Sequence, residues 1–237
     1  MKDLRFRVFS ILLVLGCLSA TAQEKVESVL SSDLVSQYIW RGMHMGGVSL
    51  QPELDLGWKG LSLMVSGNVG LVNADDVQEI DVNLSYTTGG LTLGVVDYWS
   101  DTTDSHYFNY GSKDTSHVFE AILGYDFGVV NAMWQTNFAG CDGLDSKGRR
   151  AYSSYFELTA PFSLATCEWE ASLGIVPWGT TYYKTSEFSV TNVSIKTMRD
   201  IKITDHFSLP VFAQFIGNPS SKCAYFVFGI TLRVGKI

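Results

Sequence analysis

The chain has 237 residues, with 24 acidic against 17 basic side chains and a formal charge of −7. That balance excludes a protein built to neutralise phosphates, so no nucleic-acid partner is expected. Apolar residues make up 46% of the chain, yet no stretch beyond the N-terminus approaches the ~20 apolar residues of a spanning helix.

The N-terminus has the parts of a secretory signal. Lys2, Arg5 and Arg7 are its positive region, 8–18 its apolar core, and Ala20-Thr21-Ala22 its small-residue cleavage site. Cleavage after Ala22 divides the chain into a signal peptide (1–22) and one mature domain (23–237). It removes three basic and one acidic side chain, moving the formal charge from −7 to −9.

Beyond it, apolar and polar side chains alternate with period two. In 51–58, Pro52, Leu54, Leu56 and Trp58 oppose Gln51, Glu53, Asp55 and Gly57. In 79–86, Ile80, Val82, Leu84 and Tyr86 oppose Glu79, Asp81, Asn83 and Ser85. Successive strand side chains point to opposite faces, so each run has one greasy side and one wet side. In chain order the pattern predicts twelve strands: 27–42, 49–59, 61–72, 77–87, 91–99, 117–126, 129–138, 151–160, 166–176, 188–203, 207–216 and 224–234. Parity slips at Val95-Val96-Asp97, where a bulge is expected, and Arg199 falls on the apolar parity.

The connections alternate in length. Lys59-Gly60, Thr88-Gly89-Gly90 and Asp126-Phe127-Gly128 are tight turns, and 161–165 and 204–206 are short. Polar segments 100–116, 139–150 and 177–187 are long. Tyr and Trp gather near strand ends: Trp40, Trp99, Tyr152 and Trp178 toward the long loops, and Trp58, Tyr86, Tyr125 and Trp169 toward the short turns. Short turns at one end, long loops at the other, two aromatic girdles and an even strand number describe an outer-membrane barrel. The expected fold is all-β: a single antiparallel up-and-down transmembrane β-barrel of about twelve strands in a Gram-negative outer membrane.

On that fold the polar parity lines a lumen. The candidate wall residues are Arg41, Gln51, Glu53, Asp55, Asn68, Glu79, Asp81, Asn83, Glu120, Asn131, Gln135, Glu157, Glu170, Lys196, Gln214 and Arg233. Carboxylates outnumber cations there, which favours cations or neutral solutes. Barrels of about eight strands are filled by side chains and those of sixteen hold a channel. Twelve lies between, so both a water-passing lumen and a plugged one stay open.

Other chemistry is sparse. An outer-membrane hydrolase would need a serine activated by histidine and oriented by an acid or amide. His106 and His117 flank a loop with Asp101, Asp104, Ser105, Asp114 and Ser116, while His44 and His206 stand apart, and no spacing matches a catalytic signature. Met43-His44-Met45 has soft-metal ligand types but reads as an exposed loop tip. Cys141 and Cys223 fall on the long-loop side, where a disulfide is an open alternative, and Cys167 is left over at the other end. No enzyme activity, cofactor or metal site is expected.

The run 32–42, ending Tyr38-Ile39-Trp40-Arg41-Gly42, is followed by Gln51-Pro52. Together they resemble the opening of the TorF family of porins, which has an aromatic-x-aromatic-Arg-Gly strand end, a short loop and a proline in the next strand. Gln214-Phe215-Ile216-Gly217-Asn218-Pro219 and the strand 225–234 resemble that family's closing hairpin. The resemblance implies an outer-membrane barrel with a transport role, in contact with outer-membrane lipid and small polar solutes. Arg41 sits on the inward parity, where an ion pair with Glu53 or another wall acid competes with a solute contact. The expected function is passive passage of small solutes. The alternatives are a closed barrel whose extracellular loops bind a ligand or partner, and a lipid-modifying enzyme.

Overall fold

The computed structural model of the chain describes residues 26–73, 75–101, 106–111, 114–205 and 207–234. The signal segment, its cleavage site and His206 lie outside them. The strands are β1 (Glu27–Val35), β2 (Tyr38–Trp40), β3 (Met43–Gly46), β4 (Ser49–Trp58), β5 (Leu61–Gly70), β6 (Glu79–Thr88) and β7 (Leu91–Ser100). They continue with β8 (His117–Asp126), β9 (Asn131–Gly140), β10 (Ser154–Leu164), β11 (Cys167–Val176), β12 (Ser189–Thr204), β13 (Phe207–Asn218) and β14 (Cys223–Val234). Among the described residues, twelve of these form a closed barrel of antiparallel neighbours, β1 pairing with both β4 and β14. Strands β2 and β3 form a separate two-stranded sheet. Closure leaves no unpaired edge in the wall.

The first strand departs from the sequence expectation. It was to run over 27–42 but leaves the wall after Val35, and Tyr38–Gly46 fold back as a hairpin. The hairpin turn has Arg41 at φ 50° and Gly42 at φ 79°, the pair of positive φ values that suits a tight two-residue turn. Gly42 is required twice over: a Cβ there would lie 1.8 Å from the Thr191 carbonyl oxygen. Alternation says that 38–40 is a strand, which it is, but not which sheet it joins.

Two other expectations change. No bulge interrupts 95–97: the β6–β7 register runs unbroken from Glu79↔Ser100 to Thr88↔Leu91. The local pattern looks irregular because apolar Val96 faces inward and Asp97 outward. Register shifts fall instead at Phe119/Glu120, Gly174/Ile175 and Lys202/Thr204. Strand β10 extends to Leu164, so the connection expected over 161–165 shrinks to Ala165-Thr166.

Both described chain ends meet the short-turn end of the barrel, Glu27 opposite Gly57 and Leu30 opposite Val234. The outward face is an apolar belt, with Leu84 52% and Leu123 51% exposed. Trp58, Tyr86 and Tyr125 are exposed near the short turns, and Tyr152 and Trp178 at the other end. Two aromatics expected with them differ. Trp40 is in the inner hairpin, and Trp99 is buried with Tyr107 5.4 Å away.

The interior is packed at the long-loop end. Val35, Phe212, Ile216 and Val227 form one buried cluster with Ile39 against it. Tyr155, Val176 and Tyr183 form another, with Trp40 and Met43 against it. The hairpin thus presses apolar side chains into two sectors of the wall. Glycines on the wall make room: a Cβ at Gly174 would lie 1.8 Å from the Tyr155 hydroxyl, and one at Gly229 2.1 Å from the Phe212 ring.

Candidate functional site

Cross-strand pairing places the polar parity on one face. Glu53 stands opposite Ser31 and Ser66, Ser31 opposite Arg233, and Ser66 opposite Asp81. Asp55 pairs with Met64, and Met64 with Asn83. Glu120 pairs with Val96 and Asn137, and Gln135 with Ile122 and Tyr155. Asn131 pairs with Thr159, Glu157 with Gly174, and Glu170 with Lys196, which in turn faces Gln214. Gln51 donates to Asn68 at 3.1 Å, and Glu157 accepts from Tyr155 at 2.7 Å and Asn192 at 3.2 Å. This is the face the hairpin contacts, through Glu79 and Glu120.

The central contact is Arg41. Its guanidinium is bidentate on Glu120, Nη1 to Oε2 and Nη2 to Oε1, each 2.7 Å. The side chains are 7% and 0% exposed. Planar donors matched to a carboxylate give the strong form of this bond. Of the partners the sequence left open, Glu53 or another wall acid, the structure has Arg41 on Glu120. The guanidinium carbon lies 4.3 Å from the Trp40 ring centre, 4.7 Å from Tyr155 and 5.9 Å from Tyr183. Arg41 also donates to the Tyr183 hydroxyl, and Tyr98 donates to Glu120 at 3.0 Å. Burial holds the Tyr182 and Tyr183 hydroxyls above the ordinary tyrosine value, so both remain uncharged beside the ion pair.

A second contact lies at the hairpin base, where the Tyr38 hydroxyl donates to Glu79. Cavities flank it. One of about 350 Å³ is lined by wall residues including Glu53, Asp81, Lys196 and Arg233. Another of about 180 Å³ is lined by Trp40, Tyr98, Tyr182 and Lys184. Tyr38 and Glu79 line both.

Sequence reasoning did not single out the tyrosines. Tyr98 and Tyr155 stood on the inward parity and could have been found there; Tyr182 and Tyr183 lie in a loop with no periodic signal.

Outside the wall, His117 is fully buried. Its Nδ1 is 2.7 Å from Asp97 and its Nε2 2.5 Å from the Tyr107 carbonyl, with Tyr110 stacked at 4.1 Å. Its acid partner is thus Asp97, not one of the loop acids near it in sequence. Nδ1 is engaged on the neighbouring strand β7 and Nε2 on the loop that follows it, so both ring nitrogens are occupied. Met43-His44-Met45 is strand β3, not a loop tip: Met43 packs inward while His44 is exposed. Cys141, Cys167 and Cys223 are unpaired. Among the described residues no group of three metal-ligating side chains converges. In the loop after β9, the Arg149 backbone N–H and then its side chain hold the Asp145 carboxyl below the usual carboxylate range.

No family model matches the sequence, and no curated protein does. Among solved structures, a chain from work on the in-meso crystallization of membrane proteins is 7% identical, with a TM-score of 0.50. The match covers 89% of this chain and 84% of that one. An outer-membrane channel from Pseudomonas putida F1 is 11% identical, over 94% of this chain and 98% of that one, with a TM-score of 0.40. Identities this low speak to fold alone, and the second superposition is too loose to argue from.

Proposed function

We propose that this protein is an exported outer-membrane barrel that passes small polar solutes, with a cation preference, through a bore narrowed by its own hairpin. The observation that carries the reading is the pair of cavities sharing Tyr38 and Glu79. The interior is open on both sides of one hydrogen-bonded contact, which a filled barrel would not need. An apolar outer belt with aromatics at both ends, a polar inner wall and full closure suit a bilayer. The wall acids Glu53, Glu79 and Asp81 favour cations. The resemblance to the TorF porins agrees with this role.

The buried Arg41–Glu120 clamp favours a second reading, a closed barrel whose long loops bind a ligand. Planar-bilayer recording separates the two. Refolded protein should give small, cation-selective steps, and Tyr38→Ala should enlarge them. Silence from both proteins, with the barrel shown to be folded, would leave the closed reading.

A further inference from the structure

The 180 Å³ cavity has walls of unusual character. Tyr98 and Tyr182 each stand edge-on to Trp40, with ring centres 5.9 and 6.0 Å apart and planes inclined at 72° and 83°. Two rings steeply inclined to a third thus line one space with it as an aromatic box, and an aromatic ring face carries partial negative charge. The floor is Glu79, whose hydrogen bond comes from the uncharged phenol of Tyr38. The remaining wall includes Met43 and Met45, flexible and polarisable side chains that mould around methyl groups.

Charge bookkeeping sharpens the picture. Arg41, just outside the box against Trp40, is matched by the bidentate Glu120. Its guanidinium lies against Trp40, on which Tyr183 also stacks at 6.0 Å, so the ring attraction left for a guest falls mainly to Tyr98 and Tyr182. Lys184 lines the cavity but is exposed, so water screens its ammonium. A hard metal ion would need a shell of oxygen ligands, which aromatic and thioether walls do not supply. A cation with a weakly hydrated, apolar surface loses little on entry and gains the ring faces and the carboxylate. The volume is about that of six waters in the liquid, which limits the guest to a small one.

We propose that this cavity binds small organic cations of the alkylammonium class. As a statement about what is transported, the proposal rests on the channel reading above; as a statement about binding, it does not.

The test uses the refolded full barrel in detergent, titrated with choline by calorimetry and by tryptophan fluorescence. Its uncharged carbon analogue, 3,3-dimethylbutan-1-ol, is the control. Choline should bind and the analogue should be at least about tenfold weaker, since the charge supplies the ring attraction. Tyr182→Leu should weaken choline about tenfold, and Lys184→Met, at an exposed position, should tighten it. Equal binding of choline and its analogue, or no choline binding by wild type and Lys184→Met, overturns the cage. If choline binds while bilayer recordings stay silent, the channel reading fails and the cage stands.

Discussion

Arg41→Met should detach the hairpin while leaving the barrel closed. The magnitude follows from burial. Glu120 is fully buried and its two strongest donors come from Arg41, so the substitution leaves a buried carboxylate with the Tyr98 hydroxyl at 3.0 Å. Removing one member of such a pair costs about 3–5 kcal/mol. Methionine fills part of the space over Trp40 and Tyr155 but forfeits the cation–π attraction, about 0.5–2 kcal/mol. An isolated two-stranded hairpin is marginal in water, so a loss of this size removes a large part of what holds it to the wall beside its apolar beds, Tyr38 and Asn218. Hydrogen exchange at β2 and β3, measured against exchange in β8, reads the cost as a difference in opening free energy. The double variant Arg41→Met/Glu120→Leu removes the stranded charge and should recover most of it. Single-variant costs below about 1 kcal/mol, or costs that simply add in the double variant, would refute the clamp as the hairpin's anchor.

Two further outcomes test the facing of the wall and the outer loop. Leu84→Arg should cost about 2–4 kcal/mol in bilayer refolding if that residue meets lipid near the midplane, whereas Asn83→Arg should be tolerated; Leu84 is chosen over Val82 because Val82 stands opposite Asp97, which would rescue a cation. His117→Ala removes the hydrogen bond to the Tyr107 carbonyl and the ring that stacks on Tyr110, and should open 106–111 to protease without altering heat-modifiable mobility, a cut absent from wild type.

The barrel was legible because its signal is redundant. Twelve alternating runs, loop lengths and aromatic positions each describe the same object, so errors of a few residues at strand ends do not change it. The hairpin was not legible because its signal is ambiguous. Tyr38-Ile39-Trp40 has the composition and periodicity of a wall strand, and nothing local says that the wall ends at Val35. A hint was nonetheless present on the inward parity. Val35, Val96, Phe212, Ile216 and Val227 are apolar where a water-filled lumen calls for polar side chains, and the structure buries all five. Three of the four residues in one of the hairpin's two apolar beds, Phe212, Ile216 and Val227, come from the last two strands. Apolar residues on the wet face of a barrel strand therefore mark where something other than water lies inside. Asp97 shows the reverse case, a carboxylate on the greasy face, explained by a histidine the sequence had assigned to other partners.

The hairpin's polar contacts at its tip and at its base also differ in what it takes to break them, and this bears on whether a clamped barrel can conduct. At the tip, Arg41 makes two charge-assisted bonds in a buried fork, and Asn218 holds the Gly42 carbonyl at 3.0 Å. At the base, the partition between the cavities is one phenol-to-carboxylate bond from Tyr38 to Glu79. Charge-assisted bidentate pairs are the strong ones, and a buried arginine cannot shed its charge. A tyrosine side chain, by contrast, needs only a change of rotamer to swing off its acceptor. On the channel reading, the clamp is therefore the fixed point and Tyr38 the moving part. Passage asks for a side-chain motion at the base and leaves the hairpin seated, so a tight clamp and a conducting bore are compatible in one molecule.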